Sequence, residues 1–342
     1  MSAHMSEKIN NVCFIAPLIH PDASNDYKAV LNLLSLTATS VENASRGTPS
    51  RLVVSCNAAP EDTDRFPGVD FVKVNLPAPP KCDQGRITLE DVMLDKGIKI
   101  LHALLHCKKF KPEWIFILDA DDWVSKTMVK NVFSRASMET DFLFVSSGTL
   151  INHQNLTYQK RYGLHRYCGS TFAFKFSLLS HLTSLHRYGE EGPSIHPNEL
   201  KTNAAILSLI LGDHSCRLPF LRNNGLKGRS LTDNPIAWVV DTTENHSNTK
   251  SGGRGKPITQ ALLDQFGLSK LNHLVRSSPA TPSDFLQYHV NALKSLAGDL
   301  THTSRLSNAS PLLNLFAEDL PEANELARSY IRESPAARLQ VK

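Results

Sequence analysis

The chain has 342 residues, 41% hydrophobic and 20% charged, with 37 Lys and Arg against 33 Asp and Glu and a formal net charge of +4. This balance excludes a disordered tail, a collagen-like repeat and a disulfide mini-scaffold, and it falls well short of the basic stripe of a nucleic-acid binder. Six cysteines without a CxxC pair fit reduced thiols better than a disulfide framework or a zinc knuckle.

No apolar stretch approaches the ~18 residues of a membrane helix, and no signal-peptide pattern opens the chain. A cytoplasmic protein is expected, with peripheral contact at the inner face of a membrane left open. In chain order, residues 12–18 (VCFIAPL) read as a buried strand, and 28–44 as a helix with Val30, Leu33, Leu34 and Val41 on one face. Strands follow at 51–56 (RLVVSC) and 69–76 (VDFVKVNL), then a Pro-rich loop. Residues 89–110 form an amphipathic helix carrying Met93, Ile98, Leu101, Leu104 and Leu105. Two more strands are expected at 114–118 (WIFIL) and 142–146 (FLFVS), and another at 236–240 (IAWVV). Strands without a polar face, separated by helices, predict a mostly parallel sheet covered on both sides. The Gly-rich 245–257 stretch reads as a mobile loop. Beyond it the pattern turns helical, with candidates at 258–275, 283–300 and 311–332. The expected division is therefore a sheet domain over 9–257 and a helical region over 258–342, packing on the sheet domain or pairing two copies as a homodimer.

In such sheets, ligands bind where the strands end. Residues 114–129 (WIFILDADDWVSKTMV) drive an apolar strand directly into Asp119, Asp121 and Asp122. Clustered carboxylates repel one another, and burial raises their pKa values unless a cation neutralises them. Mg²⁺ or Mn²⁺ suits this role, held by one or two carboxylates and by phosphate oxygens. Asp119 and Asp121, two apart, point the same way if the strand continues. The structural alternative is a solvated turn capping the next helix through Asp122 or Ser125.

The segment ILDADDW resembles the DxD region of GT-A glycosyltransferases of the family 2 type, over about residues 9–250. The resemblance implies a mixed, mostly parallel α/β sandwich, a nucleotide-sugar donor such as a UDP-sugar, and a hydroxyl acceptor on a glycan or another molecule. It implies inversion, with Asp119 near ribose or metal, Asp121 as the principal metal ligand, and Asp122 behind them or at a helix cap. Asp95, Lys96 and Lys99 are placed to meet base and diphosphate, or else form an exposed helix face. The second strand ends in Asn57, where the family often has an acidic base-binding residue. Gly169 and Ser170, in RYCGSTFAFK (166–175), match the small-residue segment at the donor sugar, or make a tight turn before a strand. Glu199 matches the general base, with Glu190, Glu191 and His196 as rivals; as a first-turn residue it equally suits a helix dipole. His246 matches a third metal ligand, with His214 as rival. Lys250, Arg254 and Lys256 match a cationic loop over the diphosphate or a solvated linker, and Arg222, Lys227 and Arg229 form another basic loop of the same kind.

Two rivals stay open. A sugar nucleotidyltransferase also uses Asp and Mg²⁺, but usually has a Gly-rich loop after the first strand, where this chain reads APLIHPDASND. A non-catalytic scaffold of glycosyltransferase type would have no need of Asp119 and Asp121. A haloacid dehalogenase-type phosphatase would carry its aspartates after the first strand, and a calcium loop would need a closing Gly and Glu.

Overall fold

The computed structural model describes residues 11–66, 68–80, 87, 89–183, 185, 217–218, 221–222, 225–242, 244, 255–275 and 281–303. Its centre is a seven-stranded sheet. The strands β1 (Val12–Pro17), β2 (Arg51–Cys56), β3 (Val69–Lys73) and β4 (Trp114–Ile117) lie parallel in the order β4-β1-β2-β3. β4 carries no exposed residue and β1 one half-buried proline, as expected of strands covered on both faces. Alternate residues of β1 go to opposite layers. Val12, Phe14 and Ala16 join the core under helix α1 (Tyr27–Ala44), and Cys13 and Ile15 join the core under helix α2 (Leu89–Cys107).

α1 starts where Asp26 accepts the N–H of Ala29 (3.1 Å), a side-chain N-cap. Its buried stripe of Val30, Leu34, Ala38 and Val41 has helical spacing. α2 passes into a 3-10 turn, Lys108–Phe110, where Lys111 turns left-handed at φ 46°. The expected helix 89–110 is therefore α-helical only to Cys107. The third strand stops at Lys73, short of the expected 76.

After β4 the chain leaves this sheet. Residues 119–122 turn, and β5 (Trp123–Val124) belongs to a second sheet of five strands, together with β7 (Ser147–Asn152), β8 (Thr157–Tyr162), β11 (Ile236–Val240) and β12 (Lys256–Pro257), in the order β12-β8-β7-β11-β5. Sequence periodicity did not disclose this sheet beyond β11. The main sheet is completed by β6 (Phe142–Val145), β9 (Phe172–Lys175) and β10 (Gly228–Leu231), with β9 antiparallel to both β4 and β6. Helices α3 (Met128–Arg135) and α4 (Phe176–Leu182) cover its opposite faces.

The far face of the second sheet buries Trp123, Ile151, Ala237 and Val239 against Leu262, Leu263 and Phe266. The last three belong to or border helix α5 (Gln260–Gln265). The expected helix over 258–275 is thus a short one, stopped at Gly267 with φ +71°, a C-terminal glycine signal. Helix α6 (Pro282–Thr303) lies along β8. Asn291 donates to Gln159 Oε1 (2.6 Å), Ser295 Oγ accepts the Tyr162 N–H (3.2 Å), and the Lys256 ammonium sits 4.2 Å from the Tyr288 ring centre. This helical segment packs on the sheet domain. The glycine-rich stretch expected to be a loop ends in β12, and its residues 245–254, like the candidate helix 311–332, lie outside the described residues. No helix among the described residues is long and apolar enough to cross a membrane.

Candidate active site

A cavity of about 300 Å³ opens at the carboxyl ends of β1 and β4, where an open α/β sheet binds its ligands. One part of its wall is apolar, formed by Leu18, Ile19, Val30, Met93 and Trp238; the other carries Asp95, Lys96, Asp119, Asp121 and, at the rim, Glu244. An apolar wall facing a few convergent charges is the usual design of a small-molecule site.

The aspartate turn is pinned from three directions. Leu118 N–H donates to Ile15 O (2.9 Å), which carries the strand geometry up to the turn. Thr37 of α1 donates to Ala120 O (2.8 Å). The Asp119 N–H donates to Ser170 Oγ (2.7 Å). The Asp119 carboxylate meets Lys96 Nζ at 2.5 Å, with both side chains partly exposed. Gly169 closes the other side: a Cβ there would lie 2.4 Å from Asp119 Oδ2 and 2.9 Å from Lys96 Nζ. A side chain here would have to push the Asp119 carboxylate or the Lys96 ammonium aside, so glycine serves close approach rather than its backbone angles.

The three carboxylates divide in function. Asp119 and Asp121 face the cavity. Burial, and then the charge of Asp119, push the Asp121 carboxyl up to about 7. Asp122 is buried and turned away: its Oδ2 accepts from Ser170 Oγ (2.5 Å) and Cys168 Sγ (3.3 Å), and its Oδ1 accepts the Val239 N–H (2.8 Å). Burial and the neighbouring aspartates push its carboxyl up, while the Ser170 and Val239 hydrogen bonds pull the other way. It does not cap α3, whose N-cap position is Thr127. Burial, and then the nearby Asp122, also push up the Cys168 thiol, so it is no reactive nucleophile.

Of the other expected residues, Asp95, Lys96 and Gly169 line the cavity. Lys99 does not. It is fully buried beneath Asp95 (2.7 Å), and burial pushes its pKa down while Asp95 opposes the shift. Ser170 is buried as well, with its hydroxyl engaged between Asp119 and Asp122. Asn57 is turned from the cavity to donate to Leu76 O (2.8 Å). Lys256 lies on the second sheet against Tyr288. Arg222 stacks over Phe144, and Lys227 and Arg229 reach Glu139 and Arg135 O. Glu190, Glu191, His196, Glu199, His214, His246, Lys250 and Arg254 lie outside the described residues.

Sequence reasoning missed three participants. Glu244 accepts the N–H groups of Asn25 and Asp26 (3.0 and 2.8 Å), tying the chain after β11 to the start of α1 across the cavity rim. Tyr167, on the cavity wall, lies 4.3 Å from the Arg161 guanidinium. Arg217 is buried behind Gly169, donating to its carbonyl (3.3 Å) and covering the Phe172 ring at 4.7 Å. Neither Glu244 nor Arg217 carries a local signal, because their partners lie far away in sequence.

A divalent ion fits the donor chemistry of the aspartate pair. Two carboxylates face one cavity, and a cation would offset the burial and the Asp119 repulsion that raise Asp121. Among the described residues no three His, Cys, Asp or Glu side chains are grouped to hold an ion by themselves. Such a site is of the kind completed by oxygen donors on the ligand.

No protein-family model matches the chain, and no curated protein matches it. Solved structures with a related chain path include S. aureus TarS 1–349, at 11% identity and TM-score 0.31 over 67% of this chain. The match spans only 60% of that TarS chain. The galactosyltransferase LgtC, in complex with donor and acceptor sugar analogs, matches at 11% identity and TM-score 0.33, over 81% of this chain and 99% of its own. The 4-diphosphocytidyl-2C-methyl-D-erythritol synthase of Anaerococcus prevotii matches at 11% identity and TM-score 0.35, over 77% and 96%. At these values the likenesses decide nothing about chemistry, and the α/β architecture stands on the chain's own strand order.

Proposed function

We propose that the chain is a metal-dependent glycosyltransferase of the GT-A type, moving a sugar from a nucleotide-diphosphate donor, a UDP-sugar by preference, to a hydroxyl of a glycan or another acceptor. The observation that carries this reading is the pair Asp119 and Asp121 at the end of a central strand, sharing a cavity with Lys96 and an apolar wall. The apolar wall suits a flat base, and the charged part suits a diphosphate with its counter-ion.

Asp119 and Asp121 would hold Mg²⁺ or Mn²⁺, which when bound supplies positive charge beside the leaving diphosphate. Lys96 grips Asp119 in the ligand-free chain. With a cation on the aspartates, its ammonium would be free to meet a phosphate oxygen, a point charge suited to that task. Gly169 lets the 168–170 backbone approach the Asp119 carboxylate and Lys96 closely. An in-line displacement with inversion also needs a base for the acceptor proton. Glu199 is the first candidate, with Glu191 and His196 behind it; His246, Lys250 and Arg254 are candidates for a third metal ligand and a diphosphate clamp.

The test is a thermal-shift and turnover screen of nucleotide sugars with Mn²⁺, with Mg²⁺ and with chelator. Stabilisation by UDP only in the presence of the metal, with sugar release or transfer abolished by chelator, supports the reading. Release of pyrophosphate from a sugar phosphate and a nucleoside triphosphate would replace it with nucleotidyl transfer. Binding without turnover across a broad acceptor panel would favour a scaffold.

A further inference from the structure

The chain crosses between its two sheets at residues 119–122, and the hydrogen bonds there have a fixed direction. The Asp119 N–H can only donate, so Ser170 Oγ accepts it. The single proton of that hydroxyl then goes to Asp122 Oδ2 at 2.5 Å, while Asp122 Oδ1 takes the Val239 N–H. Cys168 directs a second donor at Oδ2. Asp122 is therefore an acceptor on both oxygens, sealed from solvent, and it ties β4, the 168–170 segment and β11 together.

We propose that Ser170 and Asp122 are positioning residues of the site: a relay from the Asp119 N–H through the Ser170 hydroxyl to the Asp122 carboxylate fixes the Asp119–Asp121 turn against Gly169. Neither residue touches the ligand. Their effect is to keep the Asp119 carboxylate within reach of Lys96 and to leave no slack next to Gly169, where a single Cβ has no room. The proposal rests on the donor reading for what the turn grips, but not for how the turn is held.

Polarity makes the relay testable without a change of shape. In Asp122→Asn the new amide must face either the Val239 N–H or the donors of Ser170 and Cys168. With the amide N–H toward Val239 a buried donor meets a donor; with it toward Ser170 the hydroxyl can accept from the amide, but its own proton loses the acceptor that Asp122 provides. Ser170→Ala removes the middle of the relay, and Ser170→Thr restores its hydroxyl.

The experiment measures amide exchange at Asp119 by NMR and the affinity for UDP with Mn²⁺ by calorimetry, on full-length chains whose folding is checked by circular dichroism. Exchange at Asp119 should quicken by at least about tenfold in Asp122→Asn and Ser170→Ala, and affinity should fall by at least about fivefold, with recovery in Ser170→Thr. If Asp122→Asn does not fold, Ser170→Ala alone decides. Unchanged exchange overturns the relay. Faster exchange with undiminished affinity for Mn²⁺ and UDP overturns its role in positioning the site. If the wild-type chain fails to bind Mn²⁺ with UDP, the donor reading falls, and exchange alone then upholds or overturns the relay.

Discussion

The two sheets meet at the aspartate turn and contribute to it unequally. The seven-stranded sheet and its helices provide most of the charges of the cavity, Asp119 and Asp121 after β4 and Asp95 and Lys96 from α2, with Glu244 after β11 at the rim. The five-stranded sheet provides the hold. Its strand β11 takes Asp122 through Val239, and its far face is sealed by Phe266 and the leucines of α5. One turn of chain thus carries carboxylates with opposite duties, decided by which sheet each side chain faces. The cavity pair is partly exposed, whereas the supporting carboxylate is buried with hydrogen bonds on both oxygens.

That contrast can be broken from the charged side first. Asp121→Asn removes a cavity carboxylate without creating a void, so sugar transfer should fall by about 10²-fold or more while the fold persists. Turnover assays paired with thermal melts check this. A loss of stability equal to the loss of activity would mean that Asp121 supports rather than reacts. On the supporting side, Phe266→Ala empties a fully buried ring position and should cost about 3–5 kcal/mol in chemical denaturation. The Michaelis constant for donor, measured on the folded fraction, should stay near wild type.

Gly169→Ala sits between the two regions. Its methyl must displace the Asp119 carboxylate or Lys96, so activity should drop by about tenfold or more, with a stability loss of about 1–3 kcal/mol. Kinetics and denaturation on one sample separate the two effects.

The last contrast is a pH dependence. In the metal-free chain Asp121 holds its proton up to about 7, against an ordinary value of 3.8. The folded state then binds more protons than the unfolded state between those values, so this group lowers stability as pH rises through that window and adds no further change above it. Asp121→Asn should flatten that part of the melting profile, and saturating Mn²⁺ with UDP should do the same in the wild type. Parallel melts of the two proteins from pH 5 to pH 8 supply the check, and identical slopes would contradict the assignment.

The same division explains what could be read from residues alone. β1, β2 and β4 announce themselves because a strand buried on both faces has almost no polar positions, and the aspartates that end β4 stand out against such a run. β7 and β8 do not. SGTLIN and TYQKRY mix polar and charged residues, and β8 gains its cover only when α6 comes to lie on it from 132 positions away. The reversed direction of β9 is equally hidden, since FAFK has the same composition whichever way it runs. Gly267 is the local signal for the end of α5, set between apolar residues that continue the helical spacing on either side. In the site, Asp119, Asp121 and Gly169 were legible as a motif. The partners that give Asp122 its separate role, Ser170 and Val239, became visible only in three dimensions.

Calorimetric titration of UDP into the wild-type chain and Asp121→Asn, each with Mn²⁺ and with chelator, tests the central claim most directly. The account predicts heat of binding only for the wild type with Mn²⁺, because the ion joins the aspartates to the diphosphate. Equal affinity in all four titrations would contradict it.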